Sequence, residues 1–286
     1  MLKKVLIEAP GNAGLRPLTH TEFDKFSALA KQKFGLDLKK GKEELVAARL
    51  GKQIRQTSFR TFSEYYNHLI ADTTGEALMN MINALTTNHT SFFREPAHFE
   101  FLTSVVLKEV QGKPSFRLWS AASSSGEEPY SLLITLAEAM EPAAFERVEL
   151  LATDISTRVL KLAARGVYSA ERFTDLPKGS LSRYFLRGEG RSSGFYRVKP
   201  QIARKVQFKR LNLIEPLPSQ APFDVIFCRN VMIYFDRATQ EDLVNRLANC
   251  LTPAGYLFVG HAESLTGVKH PLEYVRPSIY RRRGSR

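Results

Sequence analysis

Residues 117–133, RLWSAASSSGEEPYSLL, decide the fold. Leu118 and Trp119 read as a buried strand, and Pro129 to Leu133 as a helix. Between them lie Ala121, Ala122, Ser123, Ser124, Ser125 and Gly126, followed by two adjacent acids, Glu127 and Glu128. Small residues after a strand let the backbone come close to a ligand. The helix that follows turns free N–H groups and partial positive charge toward the same place. Phosphate-binding loops share this layout, but the chain has neither G-x-G-x-x-G nor G-x-x-x-x-G-K-[ST], and carboxylates at the mouth repel a pyrophosphate.

The surroundings of that turn repeat its pattern. Apolar runs of strand length, FRLWSAA, VELLATDI, KVQFKRLNL, FDVIFCRN and GYLFVGHAE, alternate with helical segments at residues 129–140, 156–165 and 237–250. Such alternation predicts an α/β domain: a mostly parallel, Rossmann-like sheet covered on both faces, with ligands outside its carboxyl strand ends. One segment departs from it. Residues 184–187 and 195–199 read as a hairpin around the Gly-rich turn Arg187-Gly188-Glu189-Gly190, which predicts an inserted antiparallel β-subdomain over about 183–208.

The first part of the chain reads as all-α. Residues 21–34 place Phe23, Phe26, Leu29 and Ala30 on one face, with Thr21 as the expected N-cap and Gly35 as the stop. Residues 42–56 form a second helix with Val46, Leu50 and Ile54 on its apolar side and Arg49, Lys52, Arg55 and Gln56 opposite. Further helices are expected at 61–70 and 75–85. The domain reading is therefore a flexible tail at 1–17, a basic helical domain at 18–86, and the α/β domain at 87–286.

Bulk properties narrow the class. The 286 residues are 43% hydrophobic and 10% aromatic, enough for a proper core. No apolar run is long enough for a membrane helix, and the first residues lack a signal-peptide core, so a cytoplasmic protein is expected. Cys228 and Cys250 stand outside any paired motif and read as reduced thiols; the six histidines form no H-x-x-x-H or H-x-H, so no metal site is expected. The net charge of +12 favours an anionic partner: nucleic acid, membrane surface or acidic protein.

A ligand with cationic groups and a ribose suits an acid-rimmed turn, and S-adenosylmethionine has both. Asp154 closes the second strand, where an acid can accept hydrogen bonds from two ribose hydroxyls. Read alone, Asp154 serves equally as a helix cap. Asn230 stands where the FDVIFCRN strand leaves the sheet.

In order along the chain, TTNHTSFFREPAHF, WSAASSSGEEPYS, ATDIS, RYF, LNL, FDVIFCRNVMIYFD and GHAESL resemble the CheR family of chemotaxis receptor glutamate O-methyltransferases over residues 19–280. The resemblance implies an S-adenosylmethionine-dependent enzyme that esterifies glutamates on the cytoplasmic helices of chemoreceptors, leaving S-adenosylhomocysteine. It implies cofactor contacts at Asn88, Thr90, Arg94, Glu128 (with Glu127 as competitor), Asp154, Asn212, Leu213, Asn230 and Val231. Arg94 and Tyr234 are the candidates for steering the substrate carboxylate; the structural alternatives are an ion pair for Arg94 and core packing for Tyr234. Arg49, Lys52 and Arg55 would attract the glutamate-rich receptor segment, and the hairpin would dock a receptor tail peptide as an added strand. A monomer with no bound nucleic acid and no membrane insertion is expected. Two rival functions stand beside this one: a nucleic-acid methyltransferase, against which speaks the absence of a [DN]PPY-type motif, and a non-catalytic S-adenosylmethionine-binding adaptor.

Overall fold

In the computed structural model the residues described are 15–86, 89–217 and 221–284. The chain divides into two units, residues 1–87 and 88–286. Most of the expected tail and Asn88 lie outside the described residues.

Among the described residues the first unit holds four helices: α1 (His20–Phe34), α2 (Glu43–Ile54), α3 (Phe62–Ala71) and α4 (Glu76–Leu85). Each buries one stripe: Phe23, Phe26, Leu29 and Ala30 from α1, Val46, Leu50 and Ile54 from α2, Tyr65 and Leu69 from α3, Met81 and Ile82 from α4. The Phe26 ring meets those of Phe62, Tyr65 and Tyr66. The N-cap of α1 is Thr19, not Thr21. Its hydroxyl accepts from the Glu22 amide, and the Glu22 carboxylate accepts from the Thr19 amide. The acid three residues on, rather than the nearest threonine, sets where the helix begins.

The second unit opens with α5 (Ala97–Phe101), a π-helical turn (Leu102–Val106) and α6 (Leu107–Glu109), then runs β1 (Phe116–Ala121), α7 (Glu127–Ala139), α8 (Pro142–Phe145), β2 (Val148–Asp154), α9 (Thr157–Arg165), β3 (Val167–Ser169), α10 (Ser180–Tyr184), β4 (Phe185–Arg187), β5 (Phe195–Val198), α11 (Pro200–Ala203), β6 (Val206–Arg210), β7 (Phe223–Cys228), α12 (Arg237–Cys250), β8 (Leu251–Val259), β9 (Leu272–Arg276) and β10 (Ile279–Arg282). The main sheet has the order β6-β2-β1-β7-β8-β10-β9. Its first five strands are parallel; β10 runs antiparallel to β8 and β9. Alternate residues feed two cores. Leu118, Val225 and Phe227 pack with Leu132 and Leu136 of α7, while Trp119, Ile226 and Cys228 pack with Leu243 and Leu247 of α12. Burial on both faces is what makes the central strands read as unbroken apolar runs.

The small sheet, β3-β5-β4, is antiparallel. It begins at Val167 and ends at Val198, earlier at both ends than the expected 183–208. Val206–Arg210 pairs parallel with β2 and belongs to the main sheet. The sequence reading missed β3, whose three residues are too few to show a period, and also β9 and β10, whose apolar positions are interleaved with arginines.

Candidate active site

The turn after β1 is fastened to the end of β2. The amides of Ala122 and Ser123 both donate to the Thr153 carbonyl at 2.8 Å, and the Ser124 amide donates to Asp154 Oδ2 at 2.9 Å. Ala122, Ser124 and Gly126 have φ of 106°, 48° and 98°. Gly126 has no alternative, because a Cβ there would lie 2.8 Å from both Ala163 Cβ and Tyr168 Oη. Its smallness serves the packing of α9 and β3 against the turn, a structural need that the sequence reading had assigned to the ligand. Asp154 Oδ1 accepts from the Ser156 amide at 2.9 Å, and Ser156 itself caps α9. Asp154 is thus not the N-cap. Burial pushes its carboxyl up, with the Ser156, Ser124 and Ile155 amides opposing. Each carboxylate oxygen retains a further acceptor position.

Beside the turn, at the ends of β1 and β7, lies a buried charge network. Arg229 is 5% exposed. Its Nη2 is 3.0 Å from Glu95 Oε2 and donates to the Arg94 carbonyl at 2.6 Å; its Nη1 donates to Glu128 Oε2 at 3.2 Å. Ser120 Oγ donates to Glu128 Oε1 at 2.7 Å. Burial raises the Glu128 carboxyl, and Arg229 opposes this without cancelling it. Burial also acts to raise Glu95, but there Arg229 and the amide and ring of His261 prevail and hold it below the ordinary value. Phe93 and Glu95, the neighbours of Arg94, have φ of 53° and 59°, in the left-handed region that side chains disfavour.

A second anchor holds the loop after β7. Glu263, 6% exposed, accepts from the amides of Asn230 and Gly260 at 2.7 Å and of Ile233 at 3.2 Å. Burial raises its carboxyl against these donors. Asn230 has φ 58°, and a Cβ at Gly260 would crowd the anchor, 2.4 Å from Asn230 Nδ2, 2.8 Å from Glu263 Oε2 and 3.0 Å from the Asn230 amide nitrogen.

The structure therefore brings Arg94, Glu128 and Asn230 together through Arg229 and Glu95: Asn230 Nδ2 donates to Glu95 Oε1 at 3.4 Å. Asn212 and Leu213 follow β6, where the Leu211 amide donates to the Asp154 carbonyl. Asn212 is buried, its Nδ2 donating to Glu215 and its Oδ1 accepting from the Ile214 amide. Val231 and Tyr234 are half-buried against the α12 side of the sheet. Thr90 lends its carbonyl to Arg172 Nη1 at 3.3 Å, and Arg94 Nη1 donates to the His89 carbonyl at 3.0 Å. The two acids of the turn part company. Glu127 is fully buried, accepts from Ser125 Oγ and lies 3.4 Å from Arg172 Nη1, whereas Glu128 joins Arg229. Lys52 on α2 and Arg55 at its C-cap are exposed, but Arg49 is half-buried and donates to the Leu85 carbonyl at the end of α4. Arg49 therefore does not belong to the solvent-facing basic stripe expected of it.

Glu95, Arg229 and Glu263 were missed. A signal existed for Arg229: an arginine directly after the apolar run FDVIFC must be buried, and a buried cation needs anionic partners.

The donor set fits S-adenosylmethionine. Carboxylates, not a row of phosphate-binding amides, surround the strand ends; Asp154 keeps acceptor capacity for vicinal hydroxyls; and the buried Ser123 Oγ in the turn has no hydrogen-bond partner of its own.

Comparison with known proteins agrees. Residues 21–86 match the model of the CheR methyltransferase all-alpha domain, and residues 88–280 that of the CheR methyltransferase SAM binding domain. The chain is 40% identical to chemotaxis protein methyltransferase 2 of Pseudomonas aeruginosa over 92% of its own length and 93% of that protein. It is 39% identical to the chemotaxis protein methyltransferase of Salmonella typhimurium (92% and 90% covered) and 38% identical to that of Escherichia coli (92% and 91%). The two models follow one another along the chain, the all-alpha domain first and the SAM binding domain second, and the chain belongs to the CheR methyltransferase family.

Proposed function

We propose that the protein transfers a methyl group from S-adenosylmethionine to glutamate side chains on the cytoplasmic region of a chemoreceptor, forming methyl esters that tune adaptation. The observation that supports this reading is the Glu128–Arg229–Glu95 network, which ties the Arg94 carbonyl and, through Glu95, the Asn230 side chain to the first turn of α7. When bound, the cofactor supplies an electrophilic methyl group on a sulfonium. Asp154 would accept from its ribose hydroxyls; Glu128, Asn230 and Val231 would hold its amino-acid end; Thr90, Arg94, Asn212 and Leu213 would complete the pocket.

A glutamate carboxylate is already ionised at neutral pH, so no general base is needed. The work left for the protein is positioning and exclusion of water. Arg94, half-buried with Nη1 donating to the His89 carbonyl, would steer the substrate carboxylate, with Tyr234 as the second candidate. Too firm a grip would stabilise the ground state, which favours a half-exposed arginine over the buried Arg229 for that task.

Lys52 and Arg55 would draw in the acidic receptor helix, acting through long-range attraction. In the small sheet, β4 is an edge strand, which supports docking of a receptor tail by strand addition. No described helix is long and apolar enough to cross a membrane. The protein would act as a monomer at receptor arrays on the cytoplasmic side.

The test is incubation with labelled methyl donor and receptor-containing membranes, followed by alkali. A glutamyl ester releases its label as methanol. Label that stays on the receptor, or that goes to nucleic acid, would overturn the reading; tight cofactor binding with no labelled acceptor would make the protein an adaptor.

A further inference from the structure

Three side chains from distant parts of the chain converge at the edge of the charge network. Glu95 Oε2 lies 3.5 Å from His98 Nδ1 and 3.9 Å from His261 Nε2, and one ligand atom of each residue lies within 4.8 Å of the others. No H-x-x-x-H or H-x-H spacing announces the pair, yet the two imidazole rings meet edge to face at 5.1 Å between centroids.

His98 is the unusual member. It is 1% exposed, walled by the rings of Phe227 and Phe258, and neither ring nitrogen has a hydrogen-bond partner. A buried imidazole normally satisfies at least one nitrogen, and an orphaned polar group costs about 1–3 kcal/mol. Glu95 Oε2 is likewise buried without a hydrogen bond, its contact with Arg229 being an ion pair. His261, by contrast, has a side chain 53% exposed, which gives the cluster an opening to solvent.

We propose that Glu95, His98 and His261 form a binding site for a divalent transition metal of the zinc class. Two imidazoles and one carboxylate are the donors such ions prefer, and magnesium or calcium would want oxygen ligands instead. Ligands about 2.1 Å from a tetrahedral ion stand roughly 3.4 Å apart, so the two observed separations of 3.5 and 3.9 Å need little closing. Solvent takes the fourth position at the open His261 side. The metal competes with Arg229 for Glu95 Oε2, the oxygen 3.0 Å from Nη2. Occupancy therefore loosens one of the two carboxylates that hold Arg229, and with it the Arg94 and Asn230 segments. The site is an inhibitory one, read by the pocket through Glu95. This last step rests on the proposed function; the site itself does not.

The probe is Co²⁺, added to untagged full-length protein freed of metal by chelation, with visible absorbance and isothermal titration as readouts. The expected result is one equivalent bound with the intense ligand-field absorption of a site of low coordination number. Zn²⁺ should displace it. Because removal of even an outer-shell partner of a metal ligand lowers affinity about 10–100-fold, loss of a direct ligand in His261→Ala should weaken binding at least roughly tenfold. His261 is exposed, so this variant keeps its fold; far-UV circular dichroism checks that, and His270→Ala serves as the control that binds like wild type. No stoichiometric binding, or equal affinity in His261→Ala and wild type, overturns the proposal. Neither readout involves methyl transfer, so its failure is distinct from failure of the assigned reaction.

Discussion

Replacing Arg229 by alanine tests the physical basis of the site. The guanidinium is nearly sealed from water and faces two carboxylates at 3.0 and 3.2 Å and a backbone carbonyl at 2.6 Å. Removing one partner of a buried pair leaves an uncompensated charge and costs about 3–5 kcal/mol. Here two carboxylates lose the same partner, so the upper part of that range applies. For a unit of about this size each kcal/mol lowers Tm by roughly 2–4 °C, so about 4–5 kcal/mol predicts a fall of about 8–20 °C. Neutralising a carboxylate should return part of it: Glu128→Gln added to Arg229→Ala removes one of the two stranded charges. Arg229→Lys should not rescue, because one ammonium cannot reach both acids and the Arg94 carbonyl as the planar fork does. Thermal unfolding by circular dichroism gives the stability, and calorimetric titration with S-adenosylhomocysteine gives the pocket. A Tm within about 2 °C of wild type for Arg229→Ala, on the same scale, or a double variant no more stable than the single one, would refute the reasoning.

Four further outcomes are expected. Arg94→Ala should lower kcat/KM for methylation by about 100-fold through lost positioning while the fold is retained; near-normal rates would remove Arg94 from the reaction. Charge reversal at Lys52 and Arg55 should raise KM for receptor and reduce its salt dependence, with affinity for S-adenosylhomocysteine unchanged. Arg49→Ala should instead destabilise the helical unit by about 1 kcal/mol, seen as a lower denaturant midpoint, because its guanidinium serves the Leu85 carbonyl. Asp72 accepts from the Thr74 hydroxyl and from the amides of Ala77 and Thr74, which hold its carboxyl below the ordinary value. Its contribution is therefore present above about pH 4 and lost as pH falls further. The stability gap between wild type and Asp72→Asn should close in acid; an equal gap at neutral pH and about pH 3 contradicts this.

What could be read from the sequence divides along a physical line. Strands β1, β2, β7 and β8 were legible because both faces are buried over their central residues, which leaves unbroken apolar runs such as Leu150 to Ala152 and Val225 to Cys228. The α1 stripe was legible because helical period and burial coincide. Thr19 was misread as Thr21 because a cap depends on a partner three residues away, not on the nearest hydroxyl. The turn and its two acids could be found, but not their separate fates. Which cation each acid meets is decided by the placement of Arg172 and Arg229, and the latter is 101 residues from Glu128. Glu263 was hidden for the same reason, since two of its amide donors, Asn230 and Ile233, lie 33 and 30 residues earlier. Local periodicity carries no information about pairs of that kind. Arg49 was placed on the polar side of its helix correctly, but the side that is polar is not all solvent; the end of α4 covers part of it.

The distribution of charge explains why the site needs so many groups that never touch substrate. Phe93 and Glu95 are held at left-handed φ, a strain of order 1–3 kcal/mol each that persists only where the surroundings over-determine it. Arg229 supplies that determination from one side, binding the carbonyl of Arg94 between the two strained residues and the side chain of the second. Ser131 Oγ supplies it from the other, accepting the Phe93 amide at 2.9 Å. A hydrophobic cluster of the same volume would stabilise the domain as well or better, but could not fix a backbone carbonyl in one place. The buried ions are thus best understood as a jig for Arg94. In the proposed reaction the half-buried Arg94 would then meet a receptor carboxylate from a backbone that Arg229 and Ser131 hold on both sides.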